Sequence, residues 1–415
     1  MKWEKVRLGK FITPKKGFAF KSSKYVASGV PIVRVSNFTN DSISNDDLKY
    51  YPLEEKVNFG EFELCEKDVI IQTVGSWQNN PASVVGKVVR VPYYLDGALL
   101  NQNAVKLIPK NSIDKNYLFY RLKTDAFKGH VLGEARGAAN QASITLDTIK
   151  SFEFLIPDKK KQIKIGNILS SYDDLIENNQ KQIKLLEEAA QRLYKEWFVD
   201  LRFPGYENTP IIDGVPEGWS KKQLVNVFDY VRGKSYSSKE IVNSGNTLLI
   251  NLKNIRAFGG YNRNAEKYYV GKYGDSQKVQ AGDIIMSVTD MTQERRLVGH
   301  VAIVPNIPKT MIFSMDLIKL IPLTVKNSFL YSTMFFGGYS KRIATLANGT
   351  NVLHLKPESM MNMELLVPSN EIMIKYDDKF RNFYQRIEVL ENQNIILAEA
   401  RGRLLPKLMN GEVEV

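Results

Sequence analysis

The 415-residue chain is poor in the side chains that usually build redox and metal sites, with one cysteine, Cys65, and three histidines, His130, His300 and His354. A single thiol excludes an internal disulfide and a cysteine-based zinc site, and it fits a reducing compartment. The three histidines are isolated from one another in sequence and build no metal cluster. Long apolar runs are also missing: none approaches the roughly 18–20 residues of a membrane helix. Met1-Lys2-Trp3-Glu4-Lys5 is polar where a secretory leader is apolar, so the expected location is the cytoplasm. Catalytic signatures are absent too. The nearest string to the Asn/Asp-Pro-Pro-Tyr/Phe signature of amino-methyltransferases, Asn80-Pro81-Ala82-Ser83, lacks the second proline and the aromatic. A phosphate-cradling loop ending in Gly233-Lys234-Ser235 would need glycine where Phe228 stands. The expectation is a chain with no active site, metal or cofactor of its own.

What is present is a basic, globular composition. Lys and Arg number 57 against 45 Asp and Glu, a net charge of +12, with 43% hydrophobic and 25% charged residues. At roughly 100–200 residues per domain, the length predicts two to four domains.

The chain also repeats itself with a long period. Trp3 and Leu8 return as Trp219 and Leu224, and Gly17-Phe18-Ala19-Phe20-Lys21-Ser22 returns as Gly233-Lys234-Ser235-Tyr236-Ser237-Ser238. Ile32-Val33-Arg34-Val35-Ser36-Asn37 matches Leu249-Ile250-Asn251-Leu252-Lys253-Asn254, and Asp68-Val69-Ile70-Ile71 matches Asp283-Ile284-Ile285-Met286. Val85-Gly86 matches Val298-Gly299, and Lys106-Leu107-Ile108-Pro109 matches Lys319-Leu320-Ile321-Pro322. Generic strand vocabulary explains any one pair but not their collinear order, so the chain reads as a duplicated half-molecule. Each copy, 1–157 and 209–368, mixes short β-branched runs with Gly, Pro and Asn and a few helical stretches such as Asn116 to Lys128. That is an α/β (α+β) pattern with a curved sheet.

A helical segment follows each copy, at 158–208 and 369–415. Apolar residues recur there at alternating steps of three and four. The predicted seam is Ile176, Ile183, Leu186 and Leu193 in the first helix and Ile387, Leu390, Leu397 and Leu404 in the second. Asn179, Asn394 and Arg401 interrupt it, which predicts weaker register in the second helix. Two helices of about 35 residues, each roughly 50 Å long, would pair as an antiparallel coiled coil. Such a rod spans around 15 base pairs of duplex at about 3.4 Å each. The competing reading is that each helix packs on its own globular domain.

Divided by segment, the charge leaves the helices altogether. Residues 1–157 carry 22 basic against 16 acidic side chains and 209–368 carry 19 against 12, whereas 158–208 balance at 9 each and 369–415 carry 7 against 8. A phosphate backbone rewards that distribution, because neutralising phosphates releases counterions. The candidate DNA-contacting residues sit in segments that read as loops. In the first copy they are Lys15, Lys16, Lys21, Lys24, Arg34, Asn37, Ser76, Trp77, Gln78, Asn79, Arg136, Asn140 and Gln141. In the second they are Arg232, Lys234, Tyr236, Lys239, Asn254, Thr289, Thr292, Arg295, Arg296, Asn348, Thr350 and Asn351. Arg, Asn and Gln suit bidentate contacts to base edges; Lys, Ser and Thr suit phosphates.

The whole chain resembles the specificity subunits of type I restriction–modification systems. The resemblance rests on the Trp-x4-Leu starts, the Gly-x-[Ala/Ser]-[Phe/Tyr]-x-Ser segments, and two runs that follow the helical heptads. These are Leu193-Tyr194-Lys195-Glu196-Trp197-Phe198-Val199-Asp200-Leu201-Arg202-Phe203-Pro204-Gly205 and Leu404-Leu405-Pro406-Lys407-Leu408-Met409-Asn410-Gly411-Glu412. It implies two tandem α/β target-recognition domains in pseudo-twofold arrangement, separated by a long antiparallel coiled coil of two helices. It further implies that each domain reads one half of a bipartite site on double-stranded DNA. The helices would set the gap and bind two methyltransferase subunits, and translocase-nuclease subunits would complete the restriction complex. S-adenosylmethionine, and ATP with Mg, would then belong to those partners. Read from the residues alone, two other possibilities stay open: a free-standing DNA-binding regulator or structural protein, and an enzyme with an unrecognised site.

Overall fold

The computed structural model describes residues 3–39, 41–45, 47–77, 84–138 and 141–415. The chain divides into two compact units, one made of residues 1–177 and 394–415, the other of residues 178–393. Each combines one globular domain with part of both long helices, Lys159–Tyr194 and Asn370–Asn410. The first helix continues through one π-helical turn, Lys195–Val199.

Both domains are built around the same antiparallel four-stranded sheet. In domain 1 the order is Ile12–Lys16, Ala104–Pro109, Val69–Gln72, Val88–Arg90; in domain 2 it is Phe228–Arg232, Leu317–Pro322, Ile284–Ser287, Val301–Ile303. Val69–Gln72 and Ile284–Ser287 are buried at every residue, so these runs read as apolar rather than alternating. Outer strands close each domain: Glu4–Arg7 pairs with Glu153–Ile156, and Ser220–Gln223 with Glu364–Val367. A second small sheet also recurs around a parallel pair, Val30–Val33 with Leu99–Leu100 and Thr247–Ile250 with Thr310–Phe313. It has three strands in domain 1 and five in domain 2.

Repeated residues keep repeated jobs. Asp68 and Asp283 each accept a backbone N–H three residues back, from Cys65 at 2.9 Å and Gln280 at 3.0 Å, and each pairs with the lysine of the next strand, Lys106 or Lys319. Gly86 and Gly299 turn at φ 81° and 77°, against Val131 in one domain and the Ser340–Ala344 helix turn in the other. The helical stretch foreseen as one run is two helices, Lys115–Leu122 and Asp125–Gly133, because Thr124 caps the second by accepting the N–H of Phe127.

The long helices contribute to the domain cores. Ile165, Leu169, Leu408 and Met409 are buried in one cluster with the domain 1 core, and Tyr194, Trp197, Ile372, Met373, Tyr376 and Phe380 in one with the domain 2 core. Within unit 2 the segments run antiparallel, Asn179 meeting Gln393 and Tyr194 meeting Tyr376. Of the heptad residues, Leu390 is buried and Ile176, Ile183, Leu186, Leu193, Ile387, Leu397 and Leu404 are half-buried, while Leu175 and Leu185 beside them are exposed. No helix among the described residues is long and apolar enough to cross a membrane.

Candidate nucleic-acid interface

In domain 1 the strands Ile12–Lys16 and Val69–Gln72 flank Ala104–Pro109 and run the same way. The segments leaving their ends therefore emerge at one edge of the sheet. The first carries Lys15 and Lys16 into Gly17, whose N–H donates to the Ala104 carbonyl at 3.0 Å. The second passes Thr73, whose N–H donates to the Asn103 carbonyl at 2.9 Å, and delivers Ser76 and Trp77. Val74–Gly75 pairs with Gln141–Ser143, which pairs with Arg136–Ala138, so the exposed Arg136 and Gln141 join the same edge.

Domain 2 repeats the arrangement. Arg232 leads into Gly233, whose N–H donates to the Leu317 carbonyl at 3.2 Å, and Val288 N–H donates to the Asp316 carbonyl at 2.9 Å. Thr289–Asp290 pairs with Leu353–His354, and Asn348 and His354 exchange backbone bonds, presenting Asn348, Thr350 and Asn351 exposed on the turn between. The Gln293 side-chain amide donates to the Thr350 carbonyl at 2.6 Å and ties the two loops together. Gly17 and Gly233 are glycine for a steric reason: a Cβ would collide with the carbonyl oxygens of Asn101 and Ser314, respectively.

Several candidate cations already have acidic neighbours: Lys15 with Glu61 at 3.4 Å, Lys24 with Glu55 at 2.8 Å, Arg34 with Asp47 at 3.3 Å and Arg232 with Glu358 at 3.8 Å. Such surface pairs are worth little, so a phosphate can displace the carboxylate. Lys16, Lys21 and Lys239 are exposed, and Lys234 is half-buried. Tyr236 packs on Leu249, Tyr269 and Ile312, and burial pushes its phenol up. Three candidates are internal and leave the contact set. Asn37 is 2% exposed and accepts the Arg34 N–H; Asn254 is 1% exposed, accepts the Asn251 N–H and donates to the Asn262 carbonyl; Thr289 is buried in its ladder. Gln78, Asn79 and Asn140 lie outside the described residues.

Charged groups, most of them half-buried, fasten each domain to the helix segments of its own unit. In unit 1, Arg401 bridges Asp173 of the first helix and Asp41 of the domain, and Arg90 reaches Asp173 at 2.8 Å. Tyr120 donates to Asp173 at 2.5 Å and Lys123 pairs with Asp41 at 2.8 Å. Burial alone would raise the Asp41 carboxyl; Lys123 and Arg401 instead hold it down at about 2. Arg401 is thus a paired residue and not the weak point in register that its place in the heptad predicts. The buried Arg121 adds a cation at a helix end, donating to the Met409 carbonyl at 2.8 Å. In unit 2, Glu391 accepts from both Arg263 at 2.8 Å and Arg256 at 3.0 Å, beside an aromatic pocket lined by Tyr331, Phe335, Phe336, Phe380 and Tyr384.

Residues 1–188 and 216–398, most of both repeats and of the first helix, match the family described as the type I restriction modification DNA specificity domain. The chain belongs to this family. It is 28% identical over 326 residues to the type I restriction enzyme MjaIX specificity subunit of Methanocaldococcus jannaschii, covering 76% of this chain and 73% of that one. It is 24% identical over 398 residues to the HindI specificity subunit of Haemophilus influenzae, covering 79% and 84%. The crystal structure of the type I restriction-modification S subunit from M. genitalium shares the fold at a TM-score of 0.56 and 14% identity, over 99% of this chain and 96% of that one.

Within this specificity-domain fold, loop residues from distant parts of the sequence meet at one edge of each sheet. Sequence reasoning missed the buried residues behind them. Asp290 and His300, 0% and 3% exposed, touch no surface, and the one signal for Asp290 was an acid ending an otherwise apolar strand. Among the described residues no group of three or more His, Cys, Asp or Glu side chains is placed to hold a metal ion.

Proposed function

We propose that this chain is the DNA-reading subunit of a type I restriction–modification complex, with each domain recognising one half of a bipartite site. The observation that carries the reading is the duplicated sheet edge. Lys16, Trp77, Arg136 and Gln141 gather on one domain, and Arg232, Gln293, Arg296 and Asn348 on the other, both on a fold whose net positive charge lies on the domains and not on the helices. Lysines there neutralise phosphates, and Arg, Gln and Asn read base edges. The loops of the two halves diverge strongly in sequence, so an asymmetric target with different halves is expected.

The helices set the unspecified gap between half-sites and hold two methyltransferase subunits, with translocase-nuclease subunits joining for restriction. The chain itself is non-catalytic and works in the cytoplasm; the methyl donor and ATP with Mg act on the partner subunits. Relatives carrying the name specificity subunit support this division of labour. Adenine methylation mapped genome-wide, with and without this gene, should show one bipartite motif that vanishes with the gene. Inserting one heptad into both helices should lengthen its gap. A chain that stays alone in the cell and binds a specific site tightly, with no methyltransferase co-purifying, would overturn the assignment.

A further inference from the structure

Residues 291–297 of domain 2 carry Thr292, Gln293, Arg295 and Arg296 to the candidate DNA edge, and the way this loop is held is unusual. Asp290 has no exposed surface, yet both its carboxylate oxygens are used. Oδ1 accepts the N–H of Thr292 at 2.8 Å and its hydroxyl at 2.9 Å; Oδ2 accepts the N–H of Leu297 at 2.6 Å and of Val298 at 3.2 Å. One buried side chain thus grips the start and the end of the loop at once.

A second buried group lies under its outer turn. The His300 imidazole, 3% exposed, sits against the backbone of Phe258 and Arg295, and these residues lie in the left-handed region at φ 65° and 53°. Side chains other than glycine pay strain there, which the surrounding bonds must offset. The His300 backbone N–H donates to the Leu297 carbonyl at 3.0 Å. The Phe258 N–H in turn donates to the Arg296 carbonyl at 2.7 Å, and the Phe258 ring stands edge-on to the imidazole with centroids 5.7 Å apart. The loop is therefore fixed from beneath at Thr292, Arg296, Leu297 and Val298. Among the described residues domain 1 has no counterpart to this carboxylate: strand pairing puts Gly75, without a side chain, where Asp290 stands.

We infer that Asp290, with His300 behind it, is a positioning residue for base reading, which pre-forms the 291–297 loop so that domain 2 discriminates its half-site without Asp290 itself touching DNA. Preorganisation of this kind spares the ordering cost that a flexible loop meets on binding. The inference rests on the DNA-reading assignment above. Burial would raise the Asp290 carboxyl, but its four hydrogen bonds hold it below the usual range, as a working acceptor requires.

The test is Asp290→Asn, which keeps the size but turns one acceptor oxygen into a donor. It is made in the chain assembled with its methyltransferase and compared with the unaltered complex on duplex DNA carrying the motif mapped for that complex, with single-base changes in either half. Discrimination at the half read by domain 2 should fall about tenfold, and at the other half should change less than about twofold. Amide exchange at Leu297 and Val298, measured without DNA, should quicken in the variant. Retention of both half-site preferences, loss of both together, or unchanged exchange at these amides would overturn the inference. If the unaltered complex shows no bipartite preference, the DNA-reading assignment fails instead.

Discussion

The two domains descend from one ancestor but meet their helix segments through different chemistry. In unit 1 the joint is ionic: Arg401 and Arg90 share Asp173, with Tyr120 on the same carboxylate and Asp41 and Lys123 completing the set. In unit 2 the joint is largely aromatic, Phe380 and Tyr384 stacked at 6.1 Å beside Tyr331 and Phe336, with the Arg256–Glu391–Arg263 pairs at its rim. The signs are also reversed. Domain 1 offers Asp41 to an arginine of the second helix, whereas domain 2 offers two arginines to Glu391 of that helix. The shared sheet order shows that the architecture tolerates either solution, so the fold constrains where each domain meets its helices and leaves the chemistry of the contact free to diverge.

That contrast can be broken from either side, and the two units can be followed separately in variants that keep one tryptophan pair and change the other to phenylalanine, Trp3 and Trp77 lying in one unit and Trp197 and Trp219 in the other. The largest effect should come from Phe380→Ala. Emptying a side chain 5% exposed costs about 3–5 kcal/mol. Denaturant unfolding should show the loss in the Trp197 and Trp219 signal and leave the other pair unmoved. Next is Arg401→Met, which leaves Asp173 to Arg90 and Asp41 to Lys123 alone and should cost unit 1 about 2 kcal/mol. Adding Asp173→Leu should recover part of that loss, and a double-mutant cycle measures how much.

Acid should then separate the joints by sign. The Asp41 carboxyl sits at about 2 in the folded chain, below its ordinary value of 3.8, so its contribution is full above pH 4 and fades as pH falls toward 2. Burial raises Glu187 of unit 2 above its ordinary value of 4.5, with Arg256 opposing and Glu391 adding to the rise. Its folded form therefore binds protons more tightly, and unit 2 should gain stability as pH drops into the range just above 4.5. Thermal melts at stepped pH, read through the two tryptophan pairs, check both directions. The smallest effect is Gln293→Ala, which removes one exposed bond to the Thr350 carbonyl and should cost about 1 kcal/mol in the same melts.

The duplication was legible because it is written in local rules. Gly17 and Gly233 must lack a side chain, Gly86 and Gly299 must turn left-handed, and Asp68 and Asp283 must cap the turn three residues back. Each requirement acts within a few residues or across neighbouring strands, so it leaves a mark at a fixed position in both copies. The heptads were legible for the same reason. The joints were not. Arg401 and Asp173 are 228 positions apart, and nothing in the spacing of a heptad tells an arginine that weakens a seam from one that finds two carboxylates. Asn37 and Asn254 misled in the opposite direction: asparagine after a strand suits a DNA-facing loop and a self-capping turn equally well, and only burial separates the two.

The two units also differ in when they can exist during synthesis. Unit 2 is one continuous stretch, 178–393, and every residue of its core is translated before the last helix turns are made. Unit 1 is discontinuous. Its core needs Leu408 and Met409, in a cluster on which Trp3 also packs, and the buried Arg121 must wait for the Met409 carbonyl. Domain 1 is therefore translated first but remains an open cluster with an unfilled apolar groove while domain 2 closes. A released chain ending at residue 393 would hold every residue of the second unit's core and lack Leu408 and Met409 of the first.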